Sequence, residues 1–286
     1  MRISALPLSE RAGRGIAWRR YGLLLIGSFL VSCVLIAALF ADWLSRYSPY
    51  ELDVTVMLQG PSAAHWLGTD ELGRDVLSRT IHAARISVEV ALVAVGVGLL
   101  GGTVIGIIAA YFGGLIDMVL MRFMDLLFSF PAILLAVILM ASLGTSILNA
   151  MIAIGIVFIP GFSRLARAAT QNVLRQQYIE AAQAIGMSDG RMLVREILPN
   201  VITPLLVEAA VALAYAVLLE SALSFLGLGA QPPEPSWGNM LNTGRGFMAQ
   251  APWLGIVPGM AMFLCLLGFN LLGDGLRDVF DPHLRD

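Results

Sequence analysis

Long apolar runs restrict what this chain can fold into more than any other feature of the sequence. Six are visible, at about residues 21–41, 90–112, 126–143, 150–165, 201–223 and 253–273. Each is near the length of roughly 20 mostly apolar residues that crosses a bilayer, although the third and fourth are short and contain proline. Charged residues make up only 13% of the 286-residue chain, against about a quarter in a soluble domain. The sequence therefore predicts an all-α integral membrane protein with six transmembrane helices.

The first apolar run has two possible roles, a cleaved signal peptide or a retained helix. Five arginines precede it, namely Arg2, Arg11, Arg14, Arg19 and Arg20. The apolar part of a signal peptide is about 7–15 residues long, and this run is longer and lacks a small-residue cleavage site at its end. We therefore expect an uncleaved first transmembrane helix.

The distribution of arginine predicts the topology, because cytoplasmic loops of membrane proteins are enriched in basic residues. With a cytoplasmic N-terminus, 13 of the 18 arginines lie inside. The other five, Arg46, Arg74, Arg79, Arg85 and Arg245, lie outside. We expect both termini in the cytoplasm, two long external loops at 44–89 and 224–252, and an internal loop at about 166–200.

The chain divides on this basis into two parts. Residues 1–89 would form an N-terminal cytoplasmic tail, the first transmembrane helix and an external loop. Residues 90–286 would form a core of five helices with the internal loop. Within that loop, residues 171–185 and 189–198 favour two short helices, separated by Gly186 and ended by Pro199, since proline disfavours helix in the residue before it.

Small residues recur at helical spacing in the second run. Gly98, Gly102 and Gly106 are each four residues apart, a pattern that lets helix backbones approach closely in lipid. The pattern does not separate packing within the chain from contact with a partner subunit.

The first external loop contains a charged segment before the second run. Thr69 or Asp70 is expected to cap an amphipathic helix at the outer interface. The apolar face of that helix would carry Leu72, Val76, Thr80 and Ala83. A metal site at the nearby acidic residues Asp70, Glu71 and Asp75 is disfavoured, because Arg74 and Arg79 neutralise them.

The residues after the fifth run cannot continue a helix, because 227–237 are rich in glycine and proline. Irregular backbone near membrane depth is tolerated only beside protein or a water-filled cavity. This favours an outer gate at Glu220, Gly227, Gly229 and Gln231, with a plain external loop as the alternative. Glu208 and Glu220 are functional candidates, since charge within a span is costly. For Glu220 two roles stay open, a structural one, in which it would bind backbone N–H groups freed at the break, and contact with the substrate.

The internal loop contains Glu180-Ala181-Ala182, then Gly186, then Ile197-Leu198-Pro199. This resembles the E-A-A loop of ATP-binding-cassette importer permeases, although Glu196 stands where that pattern has isoleucine. Further segments in the family's order are HWLGTDELGRD at 65–75, AAYFGG at 109–114, LSFLGLGAQPPEPSWG at 223–238 and FNLLGDGLRD at 269–278. Together they resemble the second permease subunit of the dipeptide, oligopeptide and nickel importers over nearly the whole chain.

The resemblance implies a binding-protein-dependent permease of MetI-like, type I importer architecture in the bacterial inner membrane. It implies that the internal loop is a coupling loop, which docks into an ATPase subunit through Glu180, Ala181, Ala182, Gly186, Ile197, Leu198 and Pro199. It also implies a second homologous permease subunit that completes the pathway, one or two ATPases and an external solute-binding protein. The expected substrates are di- or oligopeptides, with nickel or glutathione-like compounds as the alternative.

The sequence lacks the motifs that would bind ATP or catalyse hydrolysis, so such a transporter would obtain this chemistry from another subunit. It contains no G-x-x-x-x-G-K-[ST] to hold ATP phosphates and no G-x-S-x-G or H-E-x-x-H. Cys33 and Cys265 lie far apart in apolar runs, so neither a disulfide nor a metal site is indicated. We expect no cofactor, no nucleic-acid partner and ATP hydrolysis in a partner subunit. A membrane enzyme would need converging polar residues, and an ion-driven transporter would need inverted repeats; neither is evident.

Overall fold

The computed structural model describes residues 8–280, with side chains from 22 to 279. Long helices dominate it: α1 (Leu8–Leu39), α3 (Val76–Phe112), α6 (Ile147–Leu174), α9 (Leu198–Phe225) and α11 (Trp253–Phe280). Shorter helices are α2 (Ala41–Leu44), α4 (Gly114–Phe128), α5 (Ala132–Leu143), α7 (Gln177–Ala184), α8 (Asp189–Arg191) and α10 (Trp237–Arg245). The all-helical prediction is confirmed. The N-terminal arginines and Arg285, which enter the topology argument, lie outside the described side chains.

Five helices in the described part are long and apolar enough to cross a membrane, and a bent pair of helices is a candidate for a sixth crossing. Its halves, α4 and α5, meet at 93°, whereas the sequence predicted one continuous run over 126–143. Pro131 causes the break, because it has no N–H to donate and disfavours helix in the residue before it.

The broken pair nevertheless passes from one end of the helix bundle to the other. At one end, Arg167 of α6 forms two hydrogen bonds with Asp117 of α4, at 2.6 and 2.5 Å. At the other end, the Asn149 amide donates to the carbonyls of Leu143 and Gly144. The pair therefore follows α6 along its length, which supports the prediction of six crossings.

A second difference lies between the coupling loop and α9. Pro199 was expected to end a short helix, but residues 189–225 form one continuous helical path. The path contains a π-helical turn at Met192–Ile197, followed directly by Leu198. A proline ring normally clashes with the carbonyl four residues earlier, and a wider turn relieves that clash. The helix therefore passes Pro199 without breaking.

The predicted interfacial helix of the external loop does not form separately. Asp75, rather than Thr69 or Asp70, caps α3, and its carboxylate accepts from the Ser78 amide at 2.8 Å. Asp70 instead accepts from the amides of Leu72 and Arg74 and so shapes the preceding turn. Leu72 lies before the helix and is exposed. Val76 begins a single 37-residue helix that continues through the membrane span.

The two long loops predicted to share one side of the membrane do lie at the same end of the bundle. The Trp253 indole donates to the Thr69 carbonyl and the Trp237 indole donates to the Thr80 carbonyl, both at 3.1 Å. The coupling loop lies at the far end of α3, beside Tyr111. A helix of this length spans about 55 Å, so the two ends are well separated.

The glycine face of the second run packs within the chain, against α6. A Cβ at Gly98 would come within 2.5 Å of the Phe158 Cβ, and one at Gly102 within 2.8 Å of the Ile159 carbonyl oxygen. A Cβ at Gly106 would meet the backbone of Arg167 at 2.9 Å. The glycines therefore set the spacing between α3 and α6, which resolves the choice between partner contact and packing within the chain.

We expect Gly102→Ala to lower the free energy of unfolding by about 1–3 kcal/mol, because α6 backbone must shift to admit the methyl group. Gly96→Ala is the matched control, since a Cβ there meets nothing within 4 Å. Thermal unfolding of the detergent-solubilised protein, followed by tryptophan fluorescence, measures both. Equal midpoints for the two variants would show that the α3–α6 contact is not tight.

Candidate functional site

The predicted coupling loop contains the short helix α7, a sharp turn at Gly186 and then the single turn α8. Gly186 has a φ of +77°, a conformation that glycine adopts without steric cost. Its amide donates to the Gln183 carbonyl at 2.9 Å, and the Met187 amide donates to the Ala182 carbonyl at 3.1 Å. These two bonds form a Schellman motif, which ends the helix and satisfies its last carbonyls. The expected turn at Gly186 is present.

The Glu-Ala-Ala sequence of α7 divides between two faces of the helix. Ala182 is only 8% exposed and Ile179 1%, and both belong to the hydrophobic core. Glu180 and Ala181 lie on the solvent side, as does Gln183. The prediction that both alanines form the docking face is therefore wrong for Ala182, whose side chain packs against its own protein.

An apolar stripe occupies the exposed face of α7. Tyr178 is 42% exposed and Ile185, directly after the helix, is 81% exposed. Ala181 lies between them at three- and four-residue spacing, so the three side chains share one face. A water-exposed stripe of this kind on a short helix is suited to burial against another protein.

The second half of the predicted motif anchors the loop. Ile197 is fully buried, as is Met192, at the start of the same π-helical turn. Leu198 is partly buried against the core and Pro199 is exposed. Ile197 and Leu198 therefore hold the loop to the helix bundle. Ile197 is therefore not accessible to an external docking surface in this conformation.

Sequence reasoning missed the contacts that join the coupling loop to the other helices. The Tyr111 hydroxyl, at the end of α3, donates to the Asp189 carboxylate at 2.6 Å. Before the loop, Arg164 of α6 binds the Asp125 carboxylate of α4 at 2.7 Å and stacks over the Phe128 ring, which joins α6 to α4. The AAYFGG segment was a signal for the first contact, since it contains Tyr111, but spacing alone could not identify the partner.

The predicted gate begins at the C-terminal end of α9 with a turn of the same geometry as the one at Gly186. Gly227 has a φ of +78°, its amide donates to the Ser224 carbonyl, and the Leu228 amide donates to the Leu223 carbonyl. This is a second Schellman motif. The irregular backbone expected after the fifth run is present over residues 226–236, which we call the outer segment.

Glu220 is the buried centre of a hydroxyl network beneath the outer segment. It is 1% exposed, and its carboxylate accepts from the hydroxyls of Ser224 at 2.7 Å, Ser87 at 3.1 Å and Ser221 at 3.4 Å. The freed amide of Ala230 donates to the Ser224 hydroxyl, so it reaches Glu220 only through that serine. The expectation that Glu220 itself binds the freed amides is therefore wrong.

The outer segment is held rigidly on this network. A Cβ at Gly229 would overlap the Ser224 hydroxyl and approach its Cα to 3.0 Å. The Gln231 amide donates to the carbonyls of Gly227 and Gly229, which closes the segment on itself. Trp237 is 2% exposed and fixes the end of the segment to α3.

The charged residues of the external loop are used in ion pairs. Arg74 binds Asp70 at 2.6 Å and Glu71 at 3.0 Å, and Arg79 approaches Asp70 at 3.5 Å. The expected neutralisation by the two arginines is found at Asp70 and Glu71. The Asp75 carboxylate contacts His65 and also caps α3. All three acidic side chains therefore have partners within the loop.

Two exposed contacts tie this loop to its neighbours. The Tyr50 hydroxyl donates to Glu234 of the outer segment at 2.9 Å, and burial followed by this hydrogen bond raises the pKa of the Tyr50 phenol. Asp42 binds Arg85 at 3.1 Å, and the hydrogen bonds from Arg85 and then His82 lower the pKa of the Asp42 carboxyl. The external loop and the outer segment thus form one connected surface.

We expect Gly229→Ala to displace Ser224 and loosen the outer segment, so that protease cleaves within residues 226–236 in the folded protein. Gly227→Asn is the matched control, because asparagine tolerates a left-handed backbone and a Cβ there meets nothing within 4 Å. Limited proteolysis with mass spectrometry of the fragments measures the difference. Resistance of Gly229→Ala equal to wild type would contradict the tight packing over Ser224.

The sequence has extensive relatives among known proteins. Residues 102–286 match the family described as the binding-protein-dependent transport system inner membrane component. The dipeptide transport system permease protein DppC of Alkalihalophilus pseudofirmus is 44% identical over 263 residues, covering 92% of this chain and 86% of that protein. The glutathione transport system permease protein GsiD of Pectobacterium atrosepticum is 42% identical over 272 residues, covering 94% and 90%.

A solved structure confirms the architecture. The methionine transporter MetNI, in an inward-facing conformation, contains a chain that matches this fold with a TM-score of 0.60. The match covers 72% of this chain and 98% of that chain at 16% sequence identity. At this identity the likeness concerns the fold alone.

Proposed function

The chain belongs to the family of binding-protein-dependent transport system inner membrane components, and we propose that it forms half of a peptide translocation pathway driven by a separate ATPase. It is a permease subunit of an ATP-binding-cassette importer and a multi-pass protein of the inner membrane. The single observation that supports coupling to an ATPase is the apolar stripe on α7. The stripe is exposed, while the opposite face of the helix packs against the bundle.

The docking face consists of Tyr178, Ala181 and Ile185, with Glu180 and Gln183 beside them. Burial of this stripe in a cleft of the ATPase would remove apolar surface from water, which favours association. Ile179 and Ala182 on the opposite face hold α7 to the helix bundle. Movement of the ATPase would therefore move the loop as a unit.

Two connections would carry that movement into the membrane. The Tyr111–Asp189 hydrogen bond joins the loop to α3, and the π-helical turn joins it to α9. The helical path from Asp189 to Phe225 then reaches the outer segment at the other side of the bundle. We propose that this segment, with Glu220, Gly227, Gly229 and Gln231, acts as the outer gate.

The proposed substrates are di- or oligopeptides, supported by the relative that is a dipeptide permease. The glutathione permease relative supports glutathione-like peptides as the alternative, and nickel stays an alternative from the sequence motifs. The proposed partners are a second homologous permease subunit, one or two ATPases that carry out ATP hydrolysis, and an external solute-binding protein. The external loop and the outer segment form the surface on which that binding protein would dock.

We propose that both termini and the coupling loop are cytoplasmic. The division into residues 1–89 and a five-helix core at 90–286 belongs to the same proposal. The arginine distribution supports it, as does the position of the two long loops at one end of the bundle. Reporter fusions at Ser188 and Asp286 should read cytoplasmic, and fusions at Asp53 and Asn242 should read external. An external signal at Ser188 would place the loop out of reach of any ATPase.

In the reconstituted complex, we expect Ile185→Glu to weaken binding of the ATPase subunit by roughly tenfold, because a charge replaces an apolar docking contact. We also expect Gly186→Val to reduce substrate-stimulated ATP hydrolysis, since a β-branched residue is strained at φ +77°. Gly186→Asn is the control, because asparagine adopts this conformation readily.

A cysteine at Gln183 should crosslink to the ATPase subunit in a chain whose native cysteines are replaced by serine. A cysteine at Asp53, exposed in the external loop, is the negative control. Full coupled hydrolysis in Ile185→Glu and Gly186→Val, with no crosslink at Gln183, would mean that the loop is not the coupling element.

A further inference from the structure

A groove opens on the side of the bundle where α4 and α5 separate. It has a volume of about 580 Å³, and residues from α4, α5, α6, α9 and α11 line it. The break at Pro131 creates one wall, since the two halves of the crossing turn away from each other there. The groove is large enough for a small peptide, by comparison with ligand sites of about 300–1,000 Å³.

One carboxylate faces this otherwise largely apolar groove. Glu208 lies on α9, about 15 Å along the helix from Leu198 and about 25 Å from Phe225, and it is exposed. Among the described residues, no hydrogen bond or ion pair reaches its side chain. A charge at this depth is costly in contact with lipid, so the groove wall at Glu208 must face water, a partner or a ligand.

The neighbouring side chains favour a cation. Tyr215 and Phe158 form adjoining walls with ring centroids 6.0 Å apart, and Phe130 lies at the break, beside Phe128, whose ring already carries the Arg164 guanidinium. Aromatic faces attract ammonium groups through their quadrupoles. Among the side chains that the structure describes, no basic one lines the groove or pairs with Glu208.

We propose that Glu208 binds the positively charged amino group of the substrate as it crosses the membrane through this groove. The inference rests on the proposed transport function and deepens it. It assigns to the permease a preference for substrates with a free primary ammonium group, a feature that a dipeptide and glutathione share.

The chemistry suits passage as well as binding. A carboxylate and an ammonium group attract each other at close range, while an open groove with access to water screens the pair. A transport site must release its ligand, so a single exposed carboxylate is better suited than a closed cage of donors and acceptors.

The test uses the complete complex with its ATPase and binding protein in liposomes, and labelled Ala-Ala and glutathione as probes. We expect Glu208→Gln to lower uptake of both by about tenfold, the loss typical of a charge-assisted contact. Binding-protein-stimulated ATP hydrolysis should persist, so that fewer substrate molecules are moved per ATP. Glu208→Asp should restore much of the uptake, because it keeps the charge. Leu206→Met, a volume-conserving change on the exposed surface of α9 outside the groove lining, is the control for an unspecific effect of substitution on this helix.

The outcomes separate the alternatives. Wild-type uptake in Glu208→Gln would overturn the inference while leaving the permease function intact. Loss of the second permease subunit on purification of Glu208→Gln would also overturn it, because Glu208 would then be an intersubunit contact. No uptake of either probe by the wild-type complex would overturn the proposed substrate class and this inference with it.

Discussion

The requirement that backbone polar groups be satisfied without water controls the rest of this structure. In lipid, a helix satisfies its own interior groups, but its ends and breaks need other partners. At the end of α9 the chain meets this need with a Schellman turn at Gly227, and the same kind of turn at Gly186 ends α7 in the water-exposed coupling loop. Both turns coincide with the segments proposed for coupling and gating. The positions where the helical ladder stops are therefore the positions available for contact with other molecules.

The α3–α6 contact provides the rigid frame against which those segments are held. Its glycines bring the two backbones together, and α3 then extends from the external loop to the coupling loop. Three residues along α3 form hydrogen bonds with other parts of the chain: Thr80 with Trp237, Ser87 with Glu220 and Tyr111 with Asp189. One helix thus touches both proposed functional segments. A displacement of α9 relative to α3 would change the Ser87–Glu220 contact directly.

The sequence predicted those parts of the fold that depend on local pattern. The lengths of the apolar runs indicated the crossings, and Gly186 indicated the turn in the coupling loop. The glycine and proline content indicated the irregular outer segment. Prediction from the sequence failed where a contact between residues distant in sequence decides the local structure. Ala182 and Ala181 are equivalent in the sequence pattern, and only the packing of α7 shows that one is buried. The passage of Pro199 through a π-helical turn and the pairing of Tyr111 with Asp189 likewise depend on tertiary geometry.

Two carboxylates on α9 show how burial separates structural from functional charge. Glu220 is surrounded by three serine hydroxyls, so its oxygens have donors and its environment excludes a further ligand. Glu208, about three turns away on the same helix, faces an open groove with aromatic walls. A satisfied, buried carboxylate fixes the shape of a helix end, whereas an open one is available to a passing cation. The two residues look alike in the sequence, and only the surroundings that the fold builds distinguish the proposed gate support, Glu220, from the proposed substrate contact, Glu208.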